Sequence, residues 1–295
     1  MTQSPLLVYI RLLLTALFWG GTFIAGKLIA KRVDPFSAAF LRFSVASFLL
    51  LILARRERGG FPPIKRTQFI ALLLLGMTGV FSYNAFFFKG LQYINAGRAA
   101  LIVANNPIFI TLFAALIFRE RLSWIKVLGI VLSVCGAMVV ISKGSLGELL
   151  RGGVGPGEIL VFGCVGSWVA YTLIGKAIMK DLSPLAAVSY SALIGTAALF
   201  IPALAEGMVT AIPRYGVLDW VCIAYLGVFG TVLGFVWYYE GIKALGPTRA
   251  GQFINFVPIF AILLAFFILD EDVTLSLLVG AALVISGVSL TNVKS

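Results

Sequence analysis

Apolar runs long enough to cross a membrane recur along the whole chain, separated by short polar segments. An α-helix needs about 20 mainly apolar residues to cross roughly 30 Å of hydrocarbon. Runs of this kind lie between breaks of charge, glycine and proline. The predicted spans, numbered in chain order, are 9–30, 36–54, 69–88, 97–118, 124–142, 157–177, 185–205, 217–241, 248–268 and 274–293. The pattern predicts an all-α integral membrane protein with ten transmembrane helices.

The composition supports this class. Hydrophobic residues make up 60% of the chain and charged residues 12%, and the mean hydropathy of +1.04 lies far outside the range of soluble domains. Span 1 lacks a basic leader and a small-residue cleavage site, and it runs into Lys31 and Arg32. We therefore expect it to be retained as a helix in the cell membrane.

The distribution of positive charge predicts the orientation, because short loops rich in Lys and Arg stay on the cytoplasmic side. Loops on the side of the N-terminus carry 14 such residues and loops on the other side carry 8, while Arg42 lies inside span 2. Both termini are predicted to be cytoplasmic.

The net charge of +11 does not predict a nucleic-acid partner, because the basic residues are spread over helix ends instead of forming one patch. Cys135, Cys164 and Cys222 lie in apolar spans without metal-ligand spacing, and the chain has no histidine. We expect neither a metal nor a cofactor.

The chain contains an internal repeat. Residues match at an offset of 149 in the first two spans of each half and at an offset of 151 afterwards. The matched pairs that carry most weight are Trp19 and Trp168, Pro35 and Pro184, Gly76 and Gly227, Gly79 and Gly230, Arg98 and Arg249, Pro107 and Pro258, and Glu120 and Glu271. The repeats cover residues 1–143 and 157–295, joined by a linker at 144–156. Because each repeat holds five spans, an odd number, the second is predicted to be inverted in the membrane.

Short motifs in this pattern resemble the drug/metabolite transporter superfamily, and within it the EamA family. They are Phe18-Trp19-Gly20-Gly21-Thr22-Phe23, Asp34-Pro35, Leu41-Arg42-Phe43, Pro107 and Arg119-Glu120. The resemblance implies an exporter or permease of amino acids, their derivatives or other metabolites. It also implies a central cavity among spans 1, 3, 4, 6, 8 and 9. The second half departs from the motif, with Val169-Ala170 in place of Gly20-Gly21 and Asp270-Glu271-Asp272 in place of Arg119-Glu120-Arg121.

Two amides in span 4 are candidate binding groups, because polar residues inside a span face a cavity or a partner helix instead of lipid. Asn105 and Asn106 precede Pro107. This proline removes a helical donor and frees the carbonyl of Val103.

Span 9 repeats the arrangement with Gln252, Asn255 and Pro258, which frees the carbonyl of Ile254. Broken helices at matched positions of two inverted halves are the best sequence indication of a transport site. The alternative is that these amides and kinks serve helix packing only.

Aromatic residues near midspan form a second candidate set, suited to a cavity for moderately apolar organic solutes. Trp19 and Phe23 share one face of span 1, and Tyr83 and Phe87 share one face of span 3. The rival interpretation is an aromatic belt at the membrane surface. The full set, with two hydrogen-bonding neighbours, is Trp19, Thr22, Phe23, Tyr83, Asn84, Phe87, Trp168, Tyr171 and Tyr238.

Charged residues leave several alternatives open. Arg98 and Arg249 open spans 4 and 9, where they either gate the helix entrances or extend to the lipid headgroups. Arg42 lies deeper and either pairs with a loop acid such as Asp34 or faces an acidic substrate. No Asp or Glu lies at the centre of a predicted span, so the sequence does not indicate a relay of proton-coupled carboxylates. Glu240, at the inner end of span 8, is the one candidate for such a role.

These features together predict a transporter of small organic solutes that works by alternating access. The solute is transported either by facilitated diffusion or in exchange for protons. The rival classes are a membrane sensor, an assembly factor and a membrane enzyme. An enzyme would need clustered acids at a span end, for which Asp270-Glu271-Asp272 is the candidate.

Overall fold

The structure is a computed structural model that describes residues 5–56, 64–106, 108–110, 112–113, 124–141, 154–179, 181–245, 250–251 and 253–291. In this part of the chain all regular secondary structure is helical. The α-helices are α1 (Pro5–Ile29), α2 (Pro35–Arg56), α3 (Arg66–Leu75), α4 (Tyr83–Tyr93), α5 (Ala96–Val103), α6 (Trp124–Ile141), α7 (Pro156–Ile178), α8 (Pro184–Ala205), α9 (Met208–Ala211), α10 (Val217–Tyr225), α11 (Gly234–Leu245), α12 (Phe256–Leu269) and α13 (Leu275–Thr291).

Six helical spans are long and apolar enough to cross a membrane. They correspond to predicted spans 1, 2, 3, 6, 7 and 8, and four shorter apolar helices overlap the remaining predicted spans. The all-helical membrane architecture is thereby confirmed, while ten membrane crossings stay a prediction. Pro107, Arg249 and Gln252, with most of the predicted linker, lie outside the described residues.

Spans 3 and 8 each contain a π-helical segment, in which hydrogen bonds close over five residues instead of four. Gly76–Ser82 joins α3 to α4, and Leu226–Leu233 joins α10 to α11. The two segments occupy matched positions of the repeat. The backbone path therefore changes at the same place in both halves.

Spans 4 and 9 are interrupted where the sequence places amides beside prolines. After α5, residues 104–105 form a turn in which the N–H of Asn105 donates to the carbonyl of Ile102 across 3.1 Å. In span 9 a 3₁₀ turn at Phe253–Asn255 precedes α12. These breaks lie next to the centre of the molecule and change the direction in which neighbouring side chains project.

Helix pairs from the two halves pack closely against each other. The strongest pairings join α6 to α13 and α2 to α8. Between α6 and α13 the backbones almost touch, because a Cβ atom added to Gly136 would lie 2.8 Å from the carbonyl oxygen of Gly280. In the α2–α8 pair the hydroxyls of Ser47 and Thr196 are 3.0 Å apart. Small residues thus allow the close helix contacts that drive association inside lipid.

Carboxylates tie the two halves together at one end of the bundle. The Glu206 carboxylate, just past α8, accepts hydrogen bonds from the N–H groups of Phe36 and Ser37, across 3.2 and 2.9 Å, at the start of α2. Glu271 similarly accepts from the N–H groups of Ala96 and Gly97 at the start of α5. Both acids satisfy orphan helix donors and complement the helix dipole.

Two ion pairs reinforce this end of the bundle. Arg98 in α5 contacts Glu158 in α7 at 2.9 Å, and Arg32 after α1 contacts Asp219 in α10 at 3.2 Å. We call this set of contacts (Arg32–Asp219, Arg98–Glu158 and the caps made by Glu206 and Glu271) the tied end.

We predict that Gly136→Ala destabilises the protein by roughly 1–3 kcal/mol, because the new methyl group must push the α6 and α13 backbones apart. Gly166→Ala is the matched control, since nothing lies within 4 Å of an added Cβ there. Thermal unfolding of the detergent-purified protein measures both variants. Equal unfolding temperatures for the two variants would contradict the proposed contact.

Candidate functional site

A cavity of about 40 Å³ lies between helices of the two repeats. Its walls combine aromatic and apolar side chains with a few polar ones. The lining residues are Trp19, Thr22, Phe23, Arg42, Tyr83, Phe87, Val103, Asn106, Trp168, Phe235, Ile254 and Val257. Large apolar walls with a few placed polar groups are typical of sites for small organic ligands.

Arg42 is the one charged residue among the described cavity residues. Its side chain lies in α2 and is only 4% exposed. Nε donates to the hydroxyl of Thr231 and Nη1 donates to the side-chain carbonyl of Asn84, both across 2.9 Å. The sequence leaves two alternatives for Arg42, an ion pair with a loop acid such as Asp34 or contact with an acidic substrate. The described residues contain no ion pair between Arg42 and Asp34. The guanidinium bonds to neutral groups and faces the cavity.

The acceptors of Arg42 are themselves held by the π-helical segments. Thr231 lies within the second segment and donates to the carbonyl of Leu226, five residues earlier, across 3.0 Å. Asn84 is the second residue after the first segment, and its side chain donates to the carbonyl of Val80, inside that segment, across 2.7 Å. Each half of the chain therefore supplies one fixed acceptor to the same guanidinium.

Aromatic rings from both halves form the wall of the cavity. The rings of Trp19 and Trp168, matched in the repeat, meet edge to face with centroids 5.3 Å apart. Tyr83 packs against Trp168 at 5.5 Å, and Phe23 against Phe87 at 5.2 Å. The Trp19 indole donates to the carbonyl of Gly230 across 3.0 Å. These contacts fix the orientations of the rings that line the cavity.

Asn106 adds a second polar group to the cavity. It is 1% exposed, and its side-chain oxygen has no hydrogen-bond partner among the described residues. An unpaired buried carbonyl costs about 1–3 kcal/mol relative to a paired one. Such a group is expected where a ligand supplies the missing donor.

Asn105, although adjacent in sequence, lies elsewhere. Its side chain donates to the carbonyls of Leu101 and Ile102 and accepts a hydrogen bond from Ser133 across 2.9 Å. The residue therefore joins α6 to the broken end of α5 and does not line the cavity. This is the packing role that the sequence left as the alternative.

The other predicted site residues that the structure describes do not line the cavity. The hydroxyl of Tyr171 lies 3.3 Å from that of Ser191, and Tyr238 packs its ring on Trp19 at 5.1 Å. Asn84 acts through Arg42. Asn255 is buried, with an unpartnered side-chain oxygen, outside the lining set. Pro258 lies in α12, and Arg98 belongs to the tied end.

Four lining residues were missed because nothing polar marks them. Val103 and Ile254 have the carbonyls that the sequence predicted to be free, and Val257 and Phe235 are apolar residues on neighbouring helices. For Val103, Ile254 and Val257 the breaks in spans 4 and 9 are the available signal, while nothing in the sequence marks Phe235. The breaks indicate a cavity wall, but not which side chains turn toward it.

A family model described as "EamA-like transporter family" matches the chain twice, at residues 6–142 and 155–293. The uncharacterized transporter YyaM of Bacillus subtilis is 30% identical, over 95% of this chain and 92% of the relative. A probable terminal-alkyne amino-acid exporter of Streptantibioticus cattleyicolor is 29% identical, over 95% and 92%. One solved crystal structure shares the fold, with a TM-score of 0.68 and 20% identity, over 97% of this chain and 96% of that one.

We predict that Thr231→Val destabilises the protein by about 1–3 kcal/mol, because it leaves a buried Arg42 donor without its acceptor. Thr15→Val is the control, since the Thr15 hydroxyl is buried without a described partner and its loss removes no bond. The measurement is the unfolding temperature in detergent. A Thr15→Val variant as unstable as Thr231→Val would refute the energetic role of the Arg42 contact.

Proposed function

This chain belongs to the EamA-like transporter family, and we propose that it moves small organic metabolites across the cell membrane by alternating access. The observation that carries the proposal is the cavity, whose walls come from both repeats. A site shared by two halves is exposed to either side when one half rocks against the other.

An inverted two-fold arrangement of ten helices is supported by contacts that recur at the offsets of the repeat. Three matched pairs of glycines each contact matched residues of the other half. In the first half the contacts are Gly76 with Ile194, Gly79 with Tyr171 and Gly90 with Val161. Their counterparts are Gly227 with Val45, Gly230 with Thr22 and Gly241 with Leu12. Trp19 and Ser47 contact their own counterparts, Trp168 and Thr196. Reciprocal contacts of this kind are what a two-fold axis produces.

The size of the cavity fits a step of the cycle in which the site is closed. Pockets for drug-sized ligands measure about 300–1,000 Å³, so a volume of about 40 Å³ has to expand before an amino acid enters. The tied end holds the two halves together on one side. In this cycle the opposite side, where Arg11 pairs with Glu240 across 2.7 Å, has to open to enlarge the cavity while the tied end stays shut.

For the solute we propose amino acids or their derivatives. The aromatic walls favour an apolar body, and one relative is named as a probable exporter of an amino acid. The relatives are named as transporters, and Glu271 of the acidic Asp270–Asp272 run caps α5, so the membrane-enzyme class has no support here. A growth-protection and efflux screen with amino acids and toxic analogues, in cells overproducing the protein, tests the proposed function.

We expect matched loop positions to face opposite sides of the membrane. Arg32 and Asp181 are exposed and lie at equivalent positions, 149 residues apart. In a background without native cysteines, Arg32→Cys should react with an impermeant thiol reagent from outside whole cells. Asp181→Cys should react only after the cells are opened. Labelling of both from the same side would overturn the inverted arrangement and the cytoplasmic termini.

We expect solute flux in proteoliposomes to fall at least about tenfold in the double variant Asn106→Leu, Asn255→Leu. The variant should remain as stable as the unmodified chain, because the lost amide oxygens have no hydrogen-bond partners among the described residues. Ser289→Ala, at an exposed position on α13, is the control. Unchanged flux in the double variant would refute the site. Flux measured with and without a pH gradient also separates the coupling modes, since equal fluxes exclude proton exchange.

A further inference from the structure

We propose that Arg42 recognises a carboxylate of the transported solute, so that the site selects amphipathic carboxylates with an apolar body. This inference rests on the proposed transport function and names its substrate class. Asn106, across the same cavity, provides the acceptor for an amino group when the solute carries one.

The first step of the argument is the charge of Arg42. A guanidinium inside the hydrocarbon region is costly unless an opposite charge or polar groups compensate for it. No carboxylate lies within 4.0 Å of Arg42 among the described residues, since the ion pairs of this part of the chain involve Arg11, Arg32 and Arg98. The three acids outside the described residues, Glu57, Glu120 and Glu148, lie in predicted loops.

The second step is geometry. Thr231 and Asn84 hold Nε and Nη1, which leaves Nη2 with no hydrogen-bond acceptor among the described residues. Gly230 lies beside this nitrogen: a Cβ added to it would lie 3.4 Å from Nη2 and 2.6 Å from the methyl group of Thr22, which also lines the cavity. A guanidinium held at two nitrogens presents its third in a fixed direction, which suits a planar carboxylate.

The third step is the surroundings of Arg42. The rings of Trp19, Tyr83 and Trp168 line the cavity that Arg42 faces. They supply an apolar environment in which a charge-assisted hydrogen bond is stronger than in water. The side-chain oxygen of Asn106, which has no partner among the described residues, is available to accept a hydrogen bond from an N–H group of the solute. An α-amino acid with an apolar side chain satisfies all three features at once.

The test uses three probes of one shape: L-phenylalanine, 3-phenylpropionate, which lacks the amino group, and phenethylamine, which lacks the carboxylate. Binding to the purified protein is followed by tryptophan fluorescence, because Trp19 and Trp168 line the site, and flux is followed in proteoliposomes. We expect both carboxylates to bind and phenethylamine to bind at least about tenfold more weakly. Arg42→Gln should remove this preference, and Arg42→Lys should keep part of it.

Arg55→Gln is the matched control, because Arg55 lies on the same helix but is exposed at its end. The variant Asn106→Asp tests the inference with Arg42 unchanged, so its result does not depend on whether the Arg42 variants fold. It places a carboxylate in the same cavity, where it competes with the solute for Arg42. We expect this variant to weaken binding of both carboxylate probes and to strengthen that of phenethylamine.

Equal binding and flux of phenethylamine and phenylalanine, unaffected by Arg42→Gln, would overturn the inference and leave the transport proposal standing. No response to any of the three probes would also overturn it. The growth-protection and efflux screen then decides the transport proposal independently.

Discussion

The positive charge of Arg42 lies inside a membrane protein, so the groups around it have to compensate for the loss of water. Arg42 is compensated by one acceptor from each half of the chain, Asn84 and Thr231. Each acceptor in turn depends on a π-helical segment for its position. Because lipid offers no hydrogen bonds, loss of any of these parts leaves a buried donor unsatisfied. The π-helical segments of spans 3 and 8 thus lie where the two acceptors of one guanidinium are held at the cavity.

The repeat supplies a symmetric frame, and a few substitutions make its centre asymmetric. Glycines at matched positions bring helices together in both halves, and Trp19 meets its counterpart Trp168. Continuing the same offset places Ser191 opposite Arg42 in the alignment, where it contacts Tyr171 instead of lining the cavity. In the proposed transport cycle, the symmetric packing lets the two halves move relative to each other, and the single charge of Arg42 gives the site its preference for a carboxylate.

The sequence predicted the frame better than the site, for a physical reason. The apolar spans, the matched glycines and the matched pair Trp19 and Trp168 are visible in the linear sequence. The structure contains helices at these spans and helix contacts at these residues. The contact of Arg42 with Thr231 joins residues 189 positions apart, so no local pattern reports it. Asn105 and Asn106 were equivalent candidates in the sequence. The turn after Val103 sends one to Ser133 and the other to the cavity.

The position of Arg42 between the halves also links binding to motion. When one half rocks against the other, the guanidinium cannot keep both Asn84 and Thr231 at 2.9 Å. A ligand shifts a conformational equilibrium only by its difference in affinity for the two states. A solute carboxylate that replaces the lost acceptor binds the rearranged state more tightly than the starting one. On this argument, the recognition of the anion and the relative motion of the two halves depend on the same hydrogen bonds of Arg42.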